Sequence, residues 1–113
     1  MAFRIDARQV KARLEAGDKI TIIEALPPEY FRKGHLPGAI CMDYEDSAEE
    51  ITRVLPDRHA ETVVYCTGAT CENSQILANR LLSIGYLNTV AMHEGKDGWV
   101  AAGFTLSREQ VAV

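Results

Sequence analysis

The sequence predicts an α/β fold in which a parallel sheet lies between helical layers. Two features of its pattern carry that prediction. Short apolar, β-branched runs alternate with stretches whose apolar residues recur at helical spacing. The runs lack polar alternation, the pattern of strands covered on both faces, and right-handed crossovers then place helices on those faces. No internal repeat, low-complexity tract or linker interrupts the alternation, so residues 1–113 read as one domain.

Each element has a local reason. Asp6 with Gln9 reads as a helix cap and its reciprocal partner, Ala7, Val10 and Leu14 follow at helical spacing, and Gly17 is a stop, predicting a helix over 7–16. Residues 20–23 read as a buried strand that Pro27 and Pro28 end. Pro37-Gly38 marks a turn before a short apolar segment, 39–42, and an acidic amphipathic stretch over 47–55 reads as a helix. Residues 62–65 form another buried-type strand. From Ser74, Ile76, Leu77, Leu81 and Ile84 mark a helical face that ends at Gly85, where a left-handed cap is expected. A weaker strand over 88–92 and a short helix over 96–102 follow.

Composition narrows the function classes. Hydrophobic residues make up 47% and charged residues 25%, as in an ordinary globular protein. A net charge of -4 argues against a nucleic-acid surface, which needs clustered Lys and Arg. The first residues carry charges every few positions and no continuous apolar stretch, so neither a signal peptide nor a membrane span is expected and the cytoplasm is the expected location. Cys41, Cys66 and Cys71 are an odd number in a chain large enough to need no disulfide staples, so three thiols with different roles are expected.

The stretch VVYCTGATCENS, 63–74, holds the chemistry. Cys66 follows a strand and precedes a helix, and such strand ends bind ligands in parallel sheets. With only small or polar residues in the loop, backbone N–H groups can turn inward and the helix N-terminus can face the sulfur, which favours a thiolate. A thiol with pKa about 8.5 is only a few per cent ionised at neutral pH, and lowering it by two units takes roughly 2.7 kcal/mol. A helix dipole supplies about 0.3–1 kcal/mol, so several converging hydrogen bonds are needed as well. On the residues alone, Cys66 stands between a small buried apolar side chain and a nucleophile.

Four segments in order, TIIEAL, GHLPGAI at 34–40, the VVYC strand leading into a Ser-headed helix closing on Gly85-Tyr86, and EGKDGWVAAGF at 94–104, resemble the single-domain rhodanese-like sulfurtransferases over nearly the full length. The resemblance implies a three-layer fold with a five-stranded parallel sheet. It further implies that Cys66 is the sulfur-carrying nucleophile and that Thr67, Gly68, Ala69, Thr70, Cys71, Glu72, Asn73 and Ser74 form its binding cradle. In the family reaction the thiolate takes sulfur from a donor as a persulfide, and a thiol or other nucleophilic acceptor removes it. The implied partners are a small sulfur donor or a persulfide-bearing protein; no cofactor, metal, nucleic acid or membrane is implied.

The chain departs from that pattern in its loop. Many members place Arg or Lys just before the helix-opening Ser, in a cradle of six residues from the Cys; here 66–73 is about two residues longer, and Cys71 or Asn73 stands in the basic position beside Glu72. Leu26 likewise stands where many members have Arg. Weak activity with thiosulfate is therefore expected, and a thiol-bound or protein-borne donor is favoured. Phosphatase chemistry is not expected, since it needs an Arg fork. Cys71 is a candidate resolving thiol, which needs Cα atoms within about 7 Å. The alternative function is a non-catalytic binding or redox-sensing module with a Cys66/Cys71 thiol switch.

Other candidates read as structural. The cysteines with His35, His59 and His93 lack the paired spacing of a zinc site. His35 is expected to hydrogen-bond nearby backbone at the Pro37-Gly38 turn, Trp99 to plug the core and Cys41 to be a buried thiol. Lys33 and Lys96 could supply the missing cation but read as solvated. The acidic run 43–50 reads as a solvated helix start.

Overall fold

The computed structural model describes residues 3–108. Among them, five strands form one parallel sheet, in the order β1 (Phe3–Arg4), β5 (Thr89–Ala91), β4 (Glu61–Tyr65), β2 (Ile20–Glu24), β3 (Ile40–Cys41). The longest pairing runs between the two central strands, in register from Ile20 against Glu61 to Glu24 against Tyr65. Side chains alternate across these strands. Ile22, Val63 and Tyr65 face a layer made by α1 (Ala7–Glu15), α2 (Pro28–Lys33) and α5 (Gly95–Ala101), through Val10, Phe31 and Trp99. Ile23 and Val64 face α3 (Ala48–Val54) and α4 (Asn73–Ser83), through Ile51, Leu77 and Leu81. Each such side chain, fully buried, contributes about 1.5–3 kcal/mol. Residues 22–23 and 63–65 thus carry no polar alternation because both faces are covered.

The helix signals act locally as expected. The Asp6 carboxylate accepts from Gln9 N–H at 2.8 Å while Gln9 Oε1 accepts from Asp6 N–H at 2.9 Å, closing the capping box on α1. The Ser47 hydroxyl accepts from Glu50 N–H at 3.1 Å and opens α3. Gly85, at φ 103°, ends the α4 turn in the left-handed region.

Two elements differ from the sequence expectation. Pro27 and Pro28 do end β2, but Pro28 then occupies the first turn of α2, where its missing N–H has no helical partner to lose. β1 is two residues long with both side chains exposed, so it carries no apolar signal; only its pairing with β5 makes it a strand. Among the described residues no helix is long and apolar enough to cross a membrane.

The connection leaving β2 runs outward to β3, and the connection leaving β4 runs the other way to β5. The carboxyl ends of β2 and β4 therefore flank a topological switch point, where open α/β sheets form their ligand crevice.

Candidate active site

Cys66 is the first residue after β4, at that switch point, and 1% exposed. The first turn of α5 clamps the backbone behind it. Lys96 N–H donates to Cys66 O at 3.0 Å and Asp97 N–H to Thr67 O at 2.9 Å. Gly95, at φ 62°, permits that approach: a Cβ there would lie 2.5 Å from Cys66 O and 2.6 Å from Gly68 N. Gly68 is under the same constraint, since a Cβ on it would strike the Asp97 carboxylate. From this fixed base, Cys71 N–H donates to Gly68 O at 3.1 Å and folds the loop back over Cys66. Helix α4 begins at Asn73, one residue before the expected Ser74.

The fold brings both loop thiols together. The Cys66 S–H reaches the Cys71 main-chain O at 3.4 Å and the Ser74 hydroxyl at 3.4 Å, and the two thiols influence each other's ionisation. Burial, reinforced by the Cys66–Cys71 hydrogen bond, pushes the Cys66 thiol above its ordinary pKa, against the opposing pull of the Ser74 hydroxyl and N–H. For Cys71, burial acts upward, but hydrogen bonds from Cys66, the Thr67 and Asn73 backbone and the Thr67 hydroxyl outweigh it and hold the thiol low. The inward-turned N–H groups expected to favour a Cys66 thiolate are thus divided: that of Ser74 acts on Cys66, while those of Thr67 and Asn73 act on Cys71.

Cys71 and Ser74, which both touch the Cys66 sulfur, line a cleft of about 530 Å³ with Ala69, Thr70 and Glu72; Arg4 and His93 also border it. Thr67 is exposed and Gly68 buried beneath the loop, whereas Asn73 faces a neighbouring hollow with Leu26 and Asp43. No cation comes from 67–73 itself, but Arg4 brings one from β1, a contribution invisible in a two-residue strand far away in sequence. A hollow of similar size at the amino ends of the strands, around Phe3, Leu87 and Val90, contains no thiol; the Arg13 beside it is paired with Asp18 and Glu61.

The site also rests on a buried polar cluster. Glu24, fully buried at the end of β2, accepts from the Tyr65 hydroxyl at 2.8 Å and pairs with Lys96 Nζ at 3.0 Å; its Oε2 has no hydrogen-bond partner among the described residues. The Tyr65 hydroxyl also accepts from Leu36 N–H at 3.0 Å. Burial first, then the Glu24 charge, push the Tyr65 hydroxyl well above its ordinary range and keep it a donor. Lys96, read from sequence as solvated, is instead spent on Glu24 and on Tyr30 O at 2.9 Å, and Lys33 lies over the Tyr30 ring.

His35 donates from Nδ1 to Phe31 O at 2.9 Å and stacks on the Phe31 ring at 3.8 Å, which fastens it to α2, while the turn at Pro37-Gly38 is closed by Ala39 N–H on Leu36 O at 3.0 Å. Trp99 is fully buried, its indole N–H on Thr105 O at 2.9 Å. Cys41 is partly rather than fully buried, because β3 is an edge strand; its S–H donates to Leu26 O at 3.2 Å, and burial and the Glu24 charge push its pKa up. Among the described residues no group of three His, Cys, Asp or Glu side chains is gathered as a metal would need.

Comparison with known proteins gives a consistent result. The family described as rhodanese-like domain matches residues 6–102. An HTH-type transcriptional regulator of Mycobacterium tuberculosis is 34% identical over 67 residues, 59% of this chain and 28% of the regulator. The adenylyltransferase and sulfurtransferase UBA4 of Candida albicans is 28% identical over 101 residues, 86% of this chain and 23% of that protein. The chain thus spans about a quarter of the length of these curated relatives. Among solved structures, the rhodanese-like domain of an Anabaena protein superposes with a TM-score of 0.80 at 26% identity, over 100% of this chain and 88% of that one.

Proposed function

The chain belongs to the rhodanese-like domain family, and on that premise we propose that it moves sulfane sulfur through a persulfide on Cys66. The observation that carries this reading is the Cys66 sulfur at the carboxyl end of β4, facing the Ser74 hydroxyl and N–H at the head of α4. In the first half-reaction the Cys66 thiolate attacks the sulfane sulfur of a donor, the donor's S–S bond breaks, and its remaining thiolate or sulfite leaves with the electron pair. In the second, a thiol or other nucleophile attacks the outer sulfur and Cys66 leaves as thiolate. The Ser74 hydroxyl and N–H are placed to stabilise the negative charge on Cys66 in both steps.

The donor favoured is a low-molecular-weight persulfide or a persulfide-bearing protein, since among the described residues lining the cleft thiosulfate meets Arg4 as the one Lys or Arg, opposed by Glu72. A relative named as adenylyltransferase and sulfurtransferase fits this class of chemistry. A cytoplasmic location and action as one domain belong to the same proposal. The test is to treat the reduced protein with thiosulfate, cysteine persulfide and polysulfide and to map added sulfur by peptide mass spectrometry. Sulfur is expected on Cys66, with thiosulfate the slowest donor, and Cys66→Ser should abolish it; a Cys66 that gains sulfur from none of the three overturns the reading.

The Cys66–Cys71 contact also supports a second reading, a binding or sensing module with a thiol switch. A switch would close the Cys66–Cys71 disulfide under mild oxidation while taking up no sulfur from any donor.

A further inference from the structure

We propose that Cys71 is a second reacting thiol that expels the sulfur loaded on Cys66 as hydrogen sulfide, closing a Cys66–Cys71 disulfide. The proposal rests on sulfur carriage by Cys66 and adds a reductive exit for the sulfur that needs no separate acceptor protein.

Three observations carry it. The turn closed by Cys71 N–H on Gly68 O brings Cys71 back onto the Cys66 sulfur, its main-chain oxygen 3.4 Å away and its thiol near enough to affect the ionisation of Cys66. Cys71 lines the cleft while Cys66 lies behind it at 1% exposure, so the second thiol stands between the first and any incoming molecule. The loop backbone directs Thr67 and Asn73 N–H groups at Cys71, so the thiolate form is the one its surroundings support. Cys41 shares none of this: it lies on the edge strand β3, its S–H on Leu26 O.

The electrons balance as follows. The Cys71 thiolate takes the Cys66 proton, and the Cys66 thiolate then attacks the donor, becoming Cys66–S–S⁻ as the donor's leaving group departs. The Cys71 proton passes to the outer persulfide sulfur. The Cys71 thiolate now attacks the inner sulfur, Cys66 Sγ; the Sγ–S bond breaks and HS⁻ departs with its electron pair. The sulfane sulfur is reduced to sulfide by two electrons and the two cysteines are oxidised to a disulfide. An external dithiol reduces that disulfide by exchange and restores both thiols. The substrate class is therefore a sulfane-sulfur donor with a dithiol as co-reductant, and the product is sulfide.

The test loads reduced wild type, Cys71→Ser, Cys41→Ser and Cys66→Ser with cysteine persulfide under anaerobic conditions. Excess reagent is removed, and released sulfide and the state of each cysteine are followed without added thiol. Wild type and Cys41→Ser are expected to release one sulfide per loaded sulfur and to show a Cys66–Cys71 disulfide. Cys71→Ser is expected to hold its Cys66 persulfide at least about tenfold longer, since the intramolecular attacker is gone, and to release it when a dithiol is added. That rescue, with an unchanged circular dichroism spectrum, excludes misfolding as the cause. A Cys66 persulfide equally long-lived in wild type and Cys71→Ser overturns the inference and leaves sulfur carriage standing. Absence of sulfur on Cys66 in every variant overturns sulfur carriage and this inference with it.

Discussion

The Cys66 and Cys71 thiols differ in environment although four residues separate them. Cys66 is shut in beneath the loop and its thiol is pushed up by burial; at Cys71 the Cys66 side chain, then the Thr67 and Asn73 backbone and the Thr67 hydroxyl, together outweigh burial and pull its thiol down. The sign of a pH experiment follows, because alkylation consumes only thiolate. Site-resolved iodoacetamide labelling, read by peptide mass spectrometry across pH, should give Cys71 a midpoint below that of a free cysteine and Cys66 one above it. Comparing midpoints rather than rates keeps the difference in exposure out of the result. Coincident midpoints would show that the loop donors do not discriminate between the sulfurs. Cys66 as the candidate nucleophile was legible from its place between a strand and a helix together with the distant matching segments. The environment of Cys71 was not, since which sulfur receives an N–H depends on the path of the loop.

At the scale of elements, the cradle is shaped by α5 as much as by its own loop. The first turn of α5 donates two hydrogen bonds to the Cys66 and Thr67 carbonyls, and Gly95 makes the approach because neither a left-handed φ nor the space tolerates a side chain. Gly95→Ala should therefore destabilise the protein by about 2–4 kcal/mol, from backbone strain plus overpacking. It should also slow sulfur loading of Cys66 at denaturant concentrations where the variant is still folded. Urea melts and loading rates on the same preparation check both; a variant within 0.5 kcal/mol of wild type, the usual range of a surface change, would show that α5 does not clamp the loop. Helices α1, α3 and α4 were readable from caps and apolar spacing. β1 and α2 were not: one is too short to show a period, and the other opens with the proline that had served as a stop signal.

Across the whole molecule, the Glu24–Lys96 pair ties the end of β2 to α5, while Tyr65 joins β4 and Lys96 also reaches α2 through Tyr30 O. Removing the cation alone leaves a charge in a site with no water contact, so Lys96→Met should cost about 3–5 kcal/mol, and Glu24→Gln with Lys96→Met should recover most of that. Denaturant unfolding of the two single variants and the double closes the cycle, and additive losses would show that the pair is not coupled. The amino-acid pattern by itself determined the alternation of strands and helices, the both-faced burial of β2 and β4, the capped helix ends and the placing of Cys66 at a strand terminus. All of these follow from periods and turn chemistry within a few residues of one another. Only the tertiary structure decided that β1 closes the sheet beside β5, that Lys96 is neutralised by Glu24 from 72 positions away, and that Arg4 borders the cleft. It also decided that the loop folds Cys71 back onto the Cys66 sulfur. Contacts between residues distant in sequence are set by how covered faces pack, and local patterning carries no record of them.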